Sequence, residues 1–110
     1  MLEHKTAVKI MNWQHKNGGF FGHSSGHALK LLGEAIELCV TCGASSESIT
    51  SVVNSEIEKA RYRGELHRPP NKEKTLEEIA DVTVLLTVLT TYLSATMTEE
   101  VEKKLPVLNA

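Results

Sequence analysis

Two pairs of carboxylates carry the strongest chemical signal in this 110-residue chain. Glu34 and Glu37 stand three apart, as do Glu78 and Asp81. On a helix that spacing puts both members of a pair on one side, one turn apart. Around the first pair, the polar residues of 27–42 fall at His27, Lys30, Glu34, Glu37 and Thr41, spaced 3, 4, 3 and 4. They occupy a stripe of about 80° at 100° per residue. Every other position is Ala, Leu, Ile, Val, Cys or Gly, so this helix is expected to be buried on most sides, its polar stripe turned toward a partner, a pocket or a wet cleft. In the second segment, Thr83, Thr87, Thr90 and Thr91 group on one side, whereas Glu78 and Asp81 continue the apolar line of Leu85, Val88 and Tyr92. Four carboxylates gathered in an interior repel one another and are costly to desolvate, so protons or cations must neutralise them. An all-oxygen donor set suits a hard divalent cation, and Mg²⁺ above all where phosphates complete the coordination.

Each pair also has an ordinary structural explanation. Glu78 fits the last position of a capping box, Thr75-Leu76-Glu77-Glu78, and either pair could salt-bridge Lys30 or an arginine. Both pairs together, each on the apolar side of a helix, favour the metal. Competing chemistries have weaker signatures. His15, His23 and His27, spaced eight and four, match no common zinc pattern, and neither carboxylate pair has the histidine that a di-iron Glu-x-x-His motif needs. The glycine-rich stretch 17–26 lacks the Gly-Lys-Ser/Thr ending of a phosphate-binding loop. Cys39 and Cys42 are too few for a disulfide framework and read as small buried hydrophobes.

The elements that must position these residues are helices. The periodicity predicts a first helix over 3–16 and a second over about 27–42, capped by Ser24 or Ser25 and ended by Gly43. A third follows Ser45 or Ser46, with Ile49, Val52, Val53, Ile57 and Ala60 as its apolar stripe. After the polar connection 64–74, with Pro69-Pro70, a fourth runs to about Leu93, and 98–105 has the composition of a short exposed fifth. The expected fold is an all-α, four-helix bundle-like single domain over 1–110. With 12 basic and 14 acidic side chains the net charge is −2, which gives no overall field for nucleic acid. The charged start and the interruption of the longest apolar stretch, 79–93, by Asp81 lead us to expect a cytoplasmic, non-membrane protein. The apolar surround of 27–42 and the apolar length of 79–93 exceed what four helices of this size cover, so a homodimer or dimer of dimers (homotetramer) is expected.

Gly33-Glu34-Ala35-Ile36-Glu37-Leu38 followed by Glu77-Glu78-Ile79-Ala80-Asp81-Val82 resembles the paired ExxE and ExxD signature of the all-α nucleoside triphosphate pyrophosphohydrolases, the MazG-like group that includes dimeric dUTPases and dCTPases. The resemblance covers about 28–89. It differs from compact members in the 40 residues between Glu37 and Glu78. It implies that Glu34, Glu37, Glu78 and Asp81 bind Mg²⁺, with Mn²⁺ able to substitute. It also implies that a nucleoside triphosphate is cleaved between its α and β phosphates into monophosphate and pyrophosphate, as in nucleotide-pool house-cleaning. Glu37 is the general-base candidate. Lys30, Lys59 and Arg61, with Arg63, are phosphate candidates, although the last three also read as a solvated helix end. Trp13, Gln14 and Phe20, with Asn12 and Phe21 nearby, supply an aromatic platform and amides for a base, in the region that forms part of the nucleoside pocket in that group; Trp13 and one Phe serve equally as core anchors. The competing functions are a catalytically silent nucleotide-binding or helix-pairing module and a hydrolase of a phosphoribosyl-linked nucleotide.

Overall fold

The computed structural model describes residues 2–16 and 24–108. Among them are five helices and no strand: α1 (His4–Lys16), α2 (Ser24–Thr41), α3 (Ser46–Tyr62), α4 (Lys72–Tyr92) and α5 (Met97–Leu108). The all-α expectation holds, and the threonine-rich stretch 82–91 lies within α4. No single described helix is long and apolar enough to cross a membrane. The chain divides into two compact units, 21–70 and 1–20 with 71–110.

In the first of these, α2 and α3 form a hairpin. The α2 helix closes with the Gly43 N–H donating to the Val40 carbonyl (3.0 Å) and the Ala44 N–H to that of Cys39 (3.0 Å). This is the double closure that a left-handed residue permits, and Gly43 has φ +89°. Ser45 then caps α3, its Oγ accepting from the Ser48 N–H at 3.1 Å. The same double closure ends α3 at Gly64 (φ +66°). Facing side chains of the hairpin, among them Leu32, Ile36, Ile49 and Val53, line an almost wholly apolar groove.

In the other unit, α1 and α5 lie parallel. The pairs run in the same direction along both helices: Glu3 N–H to Thr98 Oγ1 (3.4 Å), Thr6 Oγ1 to Glu102 Oε1 (2.9 Å) and Trp13 Nε1–H to the Leu108 carbonyl (3.2 Å). Here lie the buried residues among those described, Thr6 at 0% exposure and Leu105 at 7%. Among the described residues, α4 shows no packing on either helix as extensive as theirs on each other. At its end the Ser94 N–H donates to Thr91 and the Ala95 N–H to Thr90, a third double closure, here with a serine at φ +55°.

Four sequence expectations need correction. The second helix starts earlier than about 27, since α2 already includes Ser24 and Ser25. The α4 cap is Asn71, whose Oδ1 accepts from the Lys74 N–H at 3.0 Å; Thr75 sits in the first turn and donates to the Asn71 carbonyl. Asn is a stronger cap than Thr and follows two prolines that cannot continue a helix, so it starts α4 earlier. The fifth helix is longer than 98–105, and it is not simply exposed, since Leu105 and half-buried Val101 and Glu102 lie on its packed side. Finally, α2 is not buried on most sides. Leu29, Leu31, Leu32, Leu38 and Val40 are exposed, and so are Cys39 and Cys42, which were expected to be buried, because one helical neighbour in the hairpin covers one side of a cylinder that is apolar nearly all round.

Candidate functional site

Both carboxylate pairs lie within uninterrupted helix. Glu34 and Glu37 are in the middle of α2, and Glu78 and Asp81 are in the second and third turns of α4. Starting α4 at Lys72 removes the capping explanation for Glu78, which is six residues past that start and beyond the reach of any N-cap. All four carboxylates are exposed, and none has a salt-bridge partner among the described residues. Lys30, exposed one turn before Glu34, has no ion-pair partner among them either. The salt-bridge explanation of the pairs is therefore not realised in the described residues.

Each pair presents two oxygen donors one helical turn apart, which suits a hard divalent cation. The first pair belongs to the unit 21–70 and the second to the other unit, and each stands as described on its own helix. Among the described residues, no three His, Cys, Asp or Glu side chains stand together as a metal-holding group.

The remaining sequence candidates separate. Lys59 Nζ pairs with Glu56 Oε1 at 3.2 Å, and the Arg61 guanidinium pairs with the Glu58 carboxylate, both three residues apart on α3. Their charges are partly compensated on an exposed helix end, where cations also complement the helix dipole. Trp13 is half-buried, and its indole N–H is fixed on the carbonyl of Leu108 in α5. Gln14 is half-buried beside it on α1, and Phe20 lies outside the described residues.

Beyond the sequence candidates, α1 and α5 meet around Glu102. Its carboxylate accepts from Thr6 Oγ1 and from Lys9 Nζ at 3.1 and 3.0 Å. The lysine hydrogen bonds foremost, then the threonine hydroxyl, hold its pKa below the usual glutamate range. Sequence reading did not find this cluster, because partners 93 to 96 residues apart leave no periodic trace. The flanking of Trp13 by Lys9 and Lys16, at four and three residues, was visible as a helical stripe. Compared with protein-family models, curated proteins and solved structures, the chain has no match in any of the three.

Proposed function

We propose that this chain is a Mg²⁺-dependent nucleotide pyrophosphohydrolase, cleaving a nucleoside or deoxynucleoside triphosphate to its monophosphate and pyrophosphate. The observation that supports it most is the occurrence of two i, i+3 carboxylate pairs inside long helices, with neither capping nor ion pairing to account for them among the described residues. In this reading Glu34, Glu37, Glu78 and Asp81 hold Mg²⁺. The bound metal supplies charge neutralisation for the triphosphate and acidifies a water molecule. Glu37 takes the proton from the attacking water, Lys30 holds a phosphate from the same α2 stripe, and Lys59 and Arg61 are secondary phosphate contacts. Trp13 and Gln14 of α1, with Phe20, contact the base.

The working form in this reading is a homodimer or homotetramer. The support is the exposed apolar surface of both units: Leu29, Leu32 and Val40 on α2, and Ile79, Val84, Leu85 and Val88 on α4. The threonine side of α4 adds to that surface. Thr83, Thr87 and Thr90 return their hydroxyls to the carbonyls of Ile79, Thr83 and Leu86 at 2.8 to 2.9 Å, leaving mainly methyl groups outward. A second copy completes the bundle. The same exposed surface favours one other reading, a helix-pairing module without catalysis. A panel of canonical and modified nucleoside triphosphates with Mg²⁺ distinguishes the two. Monophosphate with pyrophosphate supports the hydrolase, orthophosphate release refutes the bond specificity, and no turnover leaves the pairing module.

A further inference from the structure

Trp13 is the only tryptophan of the chain, and α5 holds it in place through the Leu108 carbonyl. It borders an open depression of about 250 Å³ lined by Lys9, Asn12, Trp13 and Lys16 of α1 and by Leu105 of α5. The four α1 positions fall within about 100° of the helix circumference. Lys9 and Lys16 are about 10.5 Å apart along the axis, with Trp13 between them.

The walls of this depression have complementary chemistries. Trp13 offers an aromatic surface on which any nucleobase can stack. The Asn12 amide carries both donors and an acceptor, as reading the edge of a base requires. Lys9 shares its charge with Glu102, whereas Lys16 has no ion-pair partner among the described residues. A flat heteroaromatic ring on the indole thus has an uncompensated ammonium one helical turn away, where a phosphate attached to that ring can reach it. The volume lies just below the roughly 300 Å³ at which small-molecule sites begin. That favours a mononucleotide over a larger ligand. None of the four carboxylates lines this space.

We infer that the depression between α1 and α5 binds a nucleoside monophosphate without a metal ion, the base against Trp13 and Asn12 and the phosphate on Lys16. The site shares Trp13 with the base contacts proposed above, but it depends on neither carboxylate pair. The single tryptophan supplies the readout. In buffer containing EDTA, titration with AMP or UMP should quench Trp13 fluorescence saturably, with adenosine binding about tenfold more weakly, the cost of one charged contact, and inorganic phosphate binding more weakly for want of the stacked ring. Lys16→Gln should weaken AMP by about the same factor and leave adenosine unchanged, with far-UV circular dichroism showing the variant folded. The inference fails if AMP gives no saturable quench into the millimolar range, if adenosine binds as tightly as AMP, or if folded Lys16→Gln binds AMP like the parent. Turnover measured on the same preparation separates the two proposals. Hydrolysis with Mg²⁺ but no metal-free quench removes this site and spares the hydrolase, and quench without hydrolysis does the reverse.

Discussion

Leu85→Ala tests whether a second copy covers the apolar side of α4. Leu85 is 70% exposed in the single chain, and fully burying a leucine side chain contributes about 1.5–3 kcal/mol. Covering the exposed share is therefore worth about 1–2 kcal/mol for each protomer. A two-fold interface contains the position twice, so the variant should weaken dimerisation by about 2–4 kcal/mol, or about 30-fold to several hundredfold in dissociation constant. Sedimentation equilibrium over a range of concentrations reads this directly. Thermal melts should show a midpoint that falls on dilution, and falls further for Leu85→Ala. Leu105→Ala is the contrasting variant. Its side chain is 7% exposed and already packed on α1, so truncation should cost about 2 kcal/mol, the low end for buried leucine, because one neighbouring helix supplies most of its contacts. That loss should not depend on concentration. If Leu85→Ala leaves the association constant unchanged, or if the parent chain is a stable monomer at micromolar concentration, the argument from exposed apolar surface is wrong.

Two further outcomes follow from local geometry. Ser94 ends α4 in the left-handed region at φ +55°, which is unfavourable for any residue with a Cβ, so Ser94→Gly should stabilise the protein by about 1 kcal/mol and raise the melting temperature by about 4–8 °C; an unchanged or lower midpoint would contradict the strain assigned there. Glu102 has its pKa held below the usual range by Lys9 and Thr6, so its contribution to stability is present above the ordinary glutamate pKa and is lost as pH falls through the lowered folded value. Acid titration followed by Trp13 fluorescence should show α1 and α5 separating in that acidic window, and Glu102→Gln should flatten the pH dependence.

The features legible in the sequence were local ones. A serine cap for α3 at Ser45 or Ser46, Gly43 as the α2 terminator and a helix through the threonines of α4 were each announced by residues within one turn of the event. The α4 start was misread because two capping signals, Asn71 and Thr75, lie four residues apart, and the pattern Thr75 to Glu78 concealed the stronger side chain. The pairing of α1 with α5 was invisible. It is fixed by Thr6 on Glu102 and Trp13 on Leu108, contacts whose sequence separation leaves no pattern in a single chain. The apolar surround of α2 was read accurately as composition. That it implied burial within the chain was not, since burial depends on how many neighbours a helix has as well as on its own residues. The carboxylate pairs were legible as helix-face pairs, but the interior expected for them was not, since all four are exposed.

The central claim is that the two pairs serve one Mg²⁺-dependent hydrolysis, and its most direct test is product analysis with the parent chain, Glu37→Gln and Glu78→Gln. Each substitution removes a charge while nearly preserving volume, at exposed positions without ion pairs among the described residues, so folding should be unaffected. With Mg²⁺ the parent should release nucleoside monophosphate and pyrophosphate in equal amounts, EDTA should stop it, and either variant should lose activity by at least about a hundredfold. Equal turnover by the parent and both folded variants, or turnover indifferent to EDTA, would contradict the account.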